Sequence, residues 1–332
     1  MKNTLIICTY KRAQSLLQLL QSVTVQTCYP DTIIIVDGSP DNKTEIILQE
    51  NKFRNLKYHK VAPEERGLTK QRNIGINLTD SDSDIICFLD DDTILEIAYF
   101  EELLKTYMLY PDAKGVGGYI TNEVKWQQNT PGYSATPKEF EYDGWVRSEG
   151  SRFVLRKKLG LDTDVPPGFL PKFSHGRSIG FLPPSGKIYP VTHLIGAAFS
   201  FKKEIFQNFH FSEYFDGYGL YEDADFCLRV AKTGKLYVNT KARLEHHHDA
   251  SGRPNQYNYG KMVVRNGWYV WRVENEKPSF KDKLKWHLIT LLLIVVRFTN
   301  IFTTDKKKEA YTETTGRMVG WFSLLFNKPR LK

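Results

Sequence analysis

The chain is poor in the residues that staple small secreted folds. Its four cysteines, Cys8, Cys28, Cys87 and Cys227, are widely spaced and form no CxxC pair. That argues against a disulfide framework and a zinc site, and for buried, reduced thiols. No long apolar run opens the chain: Leu5-Ile6-Ile7-Cys8 is far too short for a signal-peptide core and runs straight into Thr9-Tyr10-Lys11-Arg12. A cytoplasmic protein is therefore expected. Two phosphate-binding signatures are also missing. No GxGxxG follows the first apolar run and no GxxxxGK(S/T) occurs anywhere, which removes support from dinucleotide oxidoreductases and P-loop ATPases. Nucleotide phosphates bound here need another cationic partner, and a metal ion is the natural one.

At 332 residues and 41% hydrophobic content the chain can bury one large core or two. Its formal charge of +8 is unevenly placed. Residues 251–332 hold 16 Lys and Arg against 6 Asp and Glu, while residues 1–250 hold 30 against 32. All the basic excess thus lies in the last quarter, which points to a neutral body with a basic tail and away from nucleic-acid binding.

The first 120 residues alternate strand and helix patterns. Thr4–Cys8 reads as a strand, and Leu16, Leu17, Leu19, Leu20 and Val23 recur at helical spacing up to Thr27. Ile33–Val36 is a second buried strand ending in turn and cap chemistry at Asp37-Gly38-Ser39-Pro40-Asp41. A helix near Thr44–Glu50, a strand at Leu56–His59 and a helix over Leu68–Leu78 lead to the run Ile85-Ile86-Cys87-Phe88-Leu89, which ends in Asp90-Asp91-Asp92. The series predicts an α/β fold with a mostly parallel, doubly wound sheet. Thr9, Tyr10 and Arg12, then Asp37, then Asp90 to Asp92 each follow a strand, so they gather at the carboxyl edge where such sheets bind ligands. Three adjacent carboxylates repel one another unless neutralised, and hard divalent cations take carboxylate and phosphate oxygens together. The same residues also serve as a solvated acidic loop or a helix start.

Taken in order, Cys8-Thr9-Tyr10-Lys11-Arg12, Val36-Asp37-Gly38-Ser39, Lys70-Gln71-Arg72-Asn73-Ile74-Gly75 and Phe88-Leu89-Asp90-Asp91-Asp92 resemble the nucleotide-sugar-binding half of family 2 glycosyltransferases of the GT-A fold, of the bacterial surface-polysaccharide kind. Gly196-Ala197-Ala198-Phe199-Ser200-Phe201 and Tyr221-Glu222-Asp223-Ala224-Asp225-Phe226, with a histidine downstream, continue the likeness to about residue 250. One departure is that many members carry two acids after the second strand, where this chain has Asp37 and then Gly38. The resemblance implies that Thr9, Tyr10 and Arg12 line the base pocket and that Asp37 meets the base or ribose. It further implies that Arg72 approaches the diphosphate, that Asp90 and Asp91 hold the ribose or sugar, and that Asp92 binds Mn2+ or Mg2+.

From Glu222 the pattern turns helical, so its acids sit in a first turn, where acids also serve as ordinary caps. An inverting transfer needs one carboxylate to take the acceptor's hydroxyl proton, and the family's motif supplies it. Asp223 is expected as that base, with Glu222 orienting the acceptor and Asp225 structural. In Leu244-Glu245-His246-His247-His248-Asp249, strand alternation puts His246 and His248 on one face. The resemblance favours His246 as the metal's histidine.

Three blocks are expected: a nucleotide-sugar half over 1–120, an acceptor half over 121–250 and a helical tail over 251–332. Residues 121–192 read as loops over the acceptor side. In the tail the apolar run Leu288–Val296 is too short to span a bilayer. Beside Lys281, Lys283, Lys285, Arg297, Lys306-Lys307-Lys308 and a Trp321–Phe326 cluster, it predicts peripheral attachment to an anionic membrane surface on the cytoplasmic face, with a glycan or lipid-linked glycan acceptor. Two other functions share parts of this pattern. A sugar nucleotidyltransferase would have a Gly-rich, lysine-bearing loop after strand one, and a non-catalytic glycan-binding protein would not need Asp92 and Asp223 together.

Overall fold

The computed structural model describes residues 1–249 and 254–331; the expected block boundary at 250/251 lies outside them. In chain order the elements are β1 (Asn3–Thr9), α1 (Ala13–Thr24), β2 (Thr32–Asp37), α2 (Lys43–Glu50), β3 (Leu56–Lys60), α3 (Leu68–Asn77), β4 (Ile85–Asp90), β5 (Thr93–Leu95), α4 (Tyr99–Leu109) and β6 (Ala113–Ile120). There follow β7 (Gln127–Gln128), β8 (Glu139–Tyr142), β9 (Trp145–Ser148), α5 (Ser151–Lys158), β10 (Ile188–Val191), β11 (Ala198–Lys202), α6 (Glu222–Ala231), β12 (Lys235–His246), α7 (Gln256–Glu274), α8 (Phe280–Thr303) and α9 (Lys307–Phe326).

Two compact units result: residues 1–124 with 178–252, and residues 125–177 with 253–332. They cut across the three consecutive blocks expected above, because β11 and β12 complete the sheet that β1 to β6 begin, while 125–177 groups with the C-terminal helices.

The first unit holds, among the described residues, a nine-stranded sheet in the order β10-β12-β6-β11-β4-β1-β2-β3, with β5 paired to β12. Strands β3, β2, β1 and β4 are parallel, as the βα alternation requires. Beyond them the sheet is mixed: β11 runs antiparallel to both β4 and β6, and β12 is parallel to β6. All six residues of β2 are buried because helices and loops cover both faces of a central strand. One face packs Leu5, Ile7, Ile33, Ile35 and Leu89 against Leu16, Leu19 and Leu20 of α1 and Phe100 and Leu103 of α4. The other is aromatic: Phe211 stacks on Phe226 at 4.3 Å, and Phe88 meets Phe199 at 5.3 Å. Each buried Leu or Phe contributes about 1.5–3 kcal/mol of transfer free energy. That rigid core holds the carboxyl edge in place.

The second unit is mainly helical. Residues 121–192, read from the sequence as loops, carry β7 to β9 as a small antiparallel sheet, then α5 and β10. Short strands in a Gly- and Pro-rich stretch give too few repeats of period two to stand out in the sequence. Helices α7, α8 and α9 enclose a cluster of Val264, Trp268, Trp271, Trp286 and Leu324, with Trp271 and Trp286 stacked at 5.2 Å. Gly316 is required at the α7–α9 crossing, since a Cβ there would lie 2.0 Å from the carbonyl oxygen of Tyr257. Helix α8 runs 24 residues, well past the Leu288–Val296 run, and is long and apolar enough to cross a membrane by length and composition. Residues 280–287 and 297–303 continue the helix beyond the Leu288–Val296 run at either end, so its length exceeds the roughly 20 residues a span needs. Leu291, Val295, Phe298 and Phe302 of α8 and Met318, Phe322 and Phe326 of α9 are exposed.

Candidate functional site

Strand register gathers the polar residues. Thr9 lies beside Asp37 and Cys8 beside Asp90, so β1, β2 and β4 end flush. A contributor from far along the chain joins them. Strand β5, immediately after the acids, pairs with β12 so that Thr93 faces His246, which sets the imidazole next to Asp92.

The three acids have different surroundings. Asp91 is buried and turned inward, its Oδ2 accepting from the Thr9 hydroxyl at 2.6 Å and its Oδ1 from the Arg12 guanidinium at 3.0 Å. Burial pushes its carboxyl up to about 7, with Arg12 and Thr9 acting the other way. Asp92 Oδ2 accepts the Asp249 backbone N–H at 2.7 Å, and its Oδ1 stands 3.1 Å from His246 Nε2. Burial disfavours the Asp92 anion, but His246 and the Asp249 N–H bring its pKa down to about 2. Burial likewise disfavours the imidazolium of His246, yet Asp92 and Glu123 push it up to about 10. Asp90 is the most open of the three, its side chain 33% exposed.

The geometry fits a divalent cation. Asp92 Oδ1 and His246 Nδ1 are buried and make no well-aligned hydrogen bond among the described residues, only ion-pair contacts at 3.1 Å to His246 Nε2 and 3.5 Å to Glu123, which leaves both atoms capacity for a cation. Asp90, Asp92 and His246 bring ligand atoms within 4.8 Å of one another. Two carboxylates and an imidazole suit Mn2+, and Mg2+ less well. A hollow of about 160 Å3 beside Asp92 is lined by Ser15, Gln18, Thr93, His247 and Asp249. Another, of about 620 Å3, lies at the opposite edge, where β1 and β4 begin, and holds none of the strand-end acids.

The remaining sequence-derived residues lie around this edge or behind it. Asp37 is fully buried, accepting from the Tyr58 hydroxyl at 2.9 Å and the Ser39 N–H at 2.7 Å. Tyr10 is exposed at the rim, with Lys11 Nζ 5.2 Å from its ring. Lys11, Tyr221 and His248 all adopt positive φ at this edge. Such backbone costs about 1–3 kcal/mol each and persists where the surroundings over-determine it.

Arg72 is buried under Asp90. Its guanidinium donates to Glu222, to the Gly196 carbonyl at 3.0 Å and to Asp90 at 3.5 Å, and lies 4.9 Å from the Phe199 ring centroid. Burial and the neighbouring Asp223 raise Glu222 to about 8, with Arg72 opposing them. Asp223 is half-buried, and its two oxygens accept the N–H groups of Gly196 at 2.9 Å and Ala224 at 2.7 Å. Burial raises its pKa against those two bonds. Only glycine fits at 196, because a Cβ there would meet Glu222 at 2.9 Å and Arg72 at 3.2 Å. Asp225 is buried and bound to Arg229 at 2.7 Å, away from the cleft.

Two residues here have no sequence signal of their own. Asp249 anchors Arg12 and Ser15, and Glu123 stands 3.5 Å from His246 Nδ1 and 2.8 Å from His248 Nε2.

A family model described as glycosyl transferase family 2 matches residues 4–169. The glucosyl-dolichyl phosphate glucuronosyltransferase of Haloferax volcanii is 30% identical over 143 residues, 42% of this chain and 44% of that one. The O-antigen chain rhamnosyltransferase RfbN of Salmonella typhimurium is 32% identical over 95 residues, 29% of each. Among solved structures, GalNAc-T7 with UDP, GalNAc and Mn2+ has a TM-score of 0.51 at 16% identity, covering 82% of this chain and 50% of that one. Residues 1–349 of S. aureus TarS in complex with UDP give 0.50 at 14% identity, covering 92% and 73%. At such identities the likeness is one of fold, the GT-A arrangement. The matched stretch spans less than half the length of either curated relative.

Proposed function

The chain belongs to glycosyl transferase family 2, and from that premise we propose that it moves a sugar, with inversion, from a nucleoside diphosphate to an acceptor hydroxyl. The observation that carries this reading is Arg72, which joins the donor-side acid Asp90 to the α6 acid Glu222 through one buried guanidinium and so holds two distant sequence motifs at one cleft. Asp92 and His246, with Asp90 beside them, would hold a divalent cation, which neutralises charge building on the departing diphosphate. Thr9, Tyr10, Arg12 and Asp37 form the wall on the base and ribose side, with Asp91 locking Thr9 to Arg12. Beneath them Arg72 adds positive potential under the diphosphate.

Asp223 is the better-placed base. Glu222 is engaged by Arg72, whereas each Asp223 oxygen spends one lone pair on a backbone N–H and keeps another for an acceptor hydroxyl. A pKa raised by burial also moves a carboxylate toward the range useful for general base catalysis. Glu222, held in place, orients the acceptor side.

The exposed apolar residues of α8 and α9, with Lys281, Lys283, Lys306, Lys307, Lys308 and Lys328 exposed at the helix ends, support attachment to an anionic membrane surface. A lipid-linked glycan acceptor on the cytoplasmic face follows, and a relative named for a glucosyl-dolichyl phosphate substrate supports it.

Incubating purified protein with a panel of nucleotide sugars, with Mn2+ or with EDTA, tests the reading. Slow release of nucleoside diphosphate from one donor, lost in EDTA, is expected, and Asp92→Asn should lose nucleotide affinity. Undiminished affinity in that variant would overturn the metal assignment. Release of pyrophosphate would identify a nucleotidyltransferase, and nucleotide binding without turnover a non-catalytic protein.

A further inference from the structure

His246 has two ring nitrogens, and only Nε2 faces the strand-end acids. Its Nδ1 is buried, makes no well-aligned hydrogen bond among the described residues and points the other way, toward Glu123 and His248. We propose that Glu123, His246 and His248 form a second cation site, selective for a borderline metal such as Zn2+, and that its occupation is incompatible with His246 ligating the donor-site cation.

The backbone builds this site deliberately. Strand β12 runs parallel to β6, with Leu244 beside Ile120, so the segment leaving β6 passes alongside His246. Asn122 fixes it there: its side-chain amide donates to the His246 carbonyl at 3.0 Å and accepts the His246 N–H at 3.0 Å. Glu123 is thereby turned toward both imidazoles. After β12 the chain takes a left-handed step at His248, φ 53°, which brings its ring centroid to 4.0 Å from that of His246. The carboxylate Oε1 lies 2.8 Å from His248 Nε2 and 3.5 Å from His246 Nδ1, and the three ligand atoms all fall within 4.8 Å of one another. A tetrahedral ion with bonds of 2.0–2.1 Å needs ligand separations of about 3.4 Å, so the cluster closes on a metal with side-chain shifts of no more than about 1.4 Å. Two imidazoles and one carboxylate form a three-protein-ligand zinc set with an open fourth position. Nitrogen donors also rank Zn2+ above Mn2+, whereas the Asp90 and Asp92 oxygens next door suit the harder ion.

Exclusivity follows from valence. A neutral imidazole has one lone pair and one N–H. A metal on Nδ1 places the proton on Nε2, which then donates to Asp92 Oδ1, 3.1 Å away, and offers nothing to a cation beside Asp92. A metal on Nε2 puts the proton on Nδ1, where Glu123 accepts it and steadies the ring. Zinc occupation is thus an inhibitory switch on the donor-metal site. The zinc site itself stands on geometry alone; the inhibition rests on the donor-metal role proposed for His246.

The experiment uses the full-length, metal-free protein and Zn2+ alone, followed by calorimetry and by the absorption of Co2+ as a stand-in. One equivalent should bind. His248→Ala and Glu123→Gln should each weaken it tenfold or more, a conservative figure for a lost ligand given the 10- to 100-fold effect of lost outer-shell partners. Asp92→Asn should bind Zn2+ as the parent does. In a separate arm, Zn2+ should weaken Mn2+ binding by the parent but not by His248→Ala. Absence of zinc binding, or binding that survives His248→Ala and Glu123→Gln but is lost in Asp92→Asn, overturns the second site. Zinc binding that leaves Mn2+ affinity unchanged overturns exclusivity. Failure of the parent to bind Mn2+ at all, with zinc binding intact, counts against the donor-metal reading and not against the zinc site.

Discussion

Replacing Arg72 by methionine removes the one cation among the described residues that pairs with Glu222, while a flexible thioether can still fill the space among Phe88, Phe199 and Phe211. The parent's Glu222 carboxyl titrates at about 8 with Arg72 beside it, so well below that pH it is neutral with or without Arg72 and the pH-dependent part of the loss is absent. Above it the parent ionises against Arg72, whereas the variant, lacking the counter-charge, has to keep the buried carboxyl protonated at about 1.4 kcal/mol per pH unit. The deficit should therefore be about 1.4 kcal/mol larger at pH 9 than at pH 7. Thermal and urea melts of metal-free protein at the two pH values are the assay; with roughly 2–4 °C per kcal/mol for a unit of this size, the Tm gap between parent and variant should widen by about 3–6 °C. Carrying Glu222→Gln in both removes the titrating group and should abolish that widening, a coupling that a double-mutant cycle reads directly. A gap that does not change between pH 7 and pH 9 would refute the account of Arg72 as the counter-charge of Glu222.

Asp223→Asn keeps shape and one of the two backbone hydrogen bonds, the amide nitrogen being unable to accept the other N–H, and removes basicity, so turnover should fall by about two to four orders of magnitude while nucleotide affinity stays near the parent's; parental turnover would place the base elsewhere, with Glu222 next. Changing Lys306, Lys307 and Lys308 to alanine should weaken co-sedimentation with anionic vesicles about a hundredfold, at about 1 kcal/mol per lysine, with no effect on neutral vesicles. Equal recovery of parent and variant would remove electrostatics from the tail's role. In EDTA, His246 is held protonated to about pH 10 against an ordinary 6.5, so its contribution to stability is complete below about pH 6.5 and is lost as pH rises through about 10. His246→Gln should flatten that slope, and an unchanged slope would show that the Asp92 contact does not stabilise the fold.

Much of this molecule is written locally. The strand ends at Thr9, Asp37 and Asp90 and the helices between them rest on periods of 2 and 3.6, which neighbouring residues carry whatever the rest of the chain does. The abrupt change from Leu89 to Asp90 therefore marks a carboxyl edge without any knowledge of the sheet's order. The same locality explains the misreadings. The uninterrupted Leu288–Val296 run is too short to span by itself, whereas α8 continues through Lys283, Lys285 and Arg297 on helical hydrogen bonds that charged side chains do not break. Residues 121–192 hold four short strands and a helix, none of which repeats its pattern long enough to stand out in the sequence.

What the tertiary structure alone decided is who meets whom across the cleft. Arg72 and Glu222 are 150 residues apart in sequence, and nothing near either one specifies the other. Their contact exists because β11 enters antiparallel beside β4, bringing Gly196 and then α6 over the end of α3. Glu123 lies beside His246 only because β6 and β12 run parallel and end together. Secondary structure depends on interactions between near neighbours, but pairing between distant strands depends on which arrangement buries the most apolar surface of the whole chain, and that sum has no local signature.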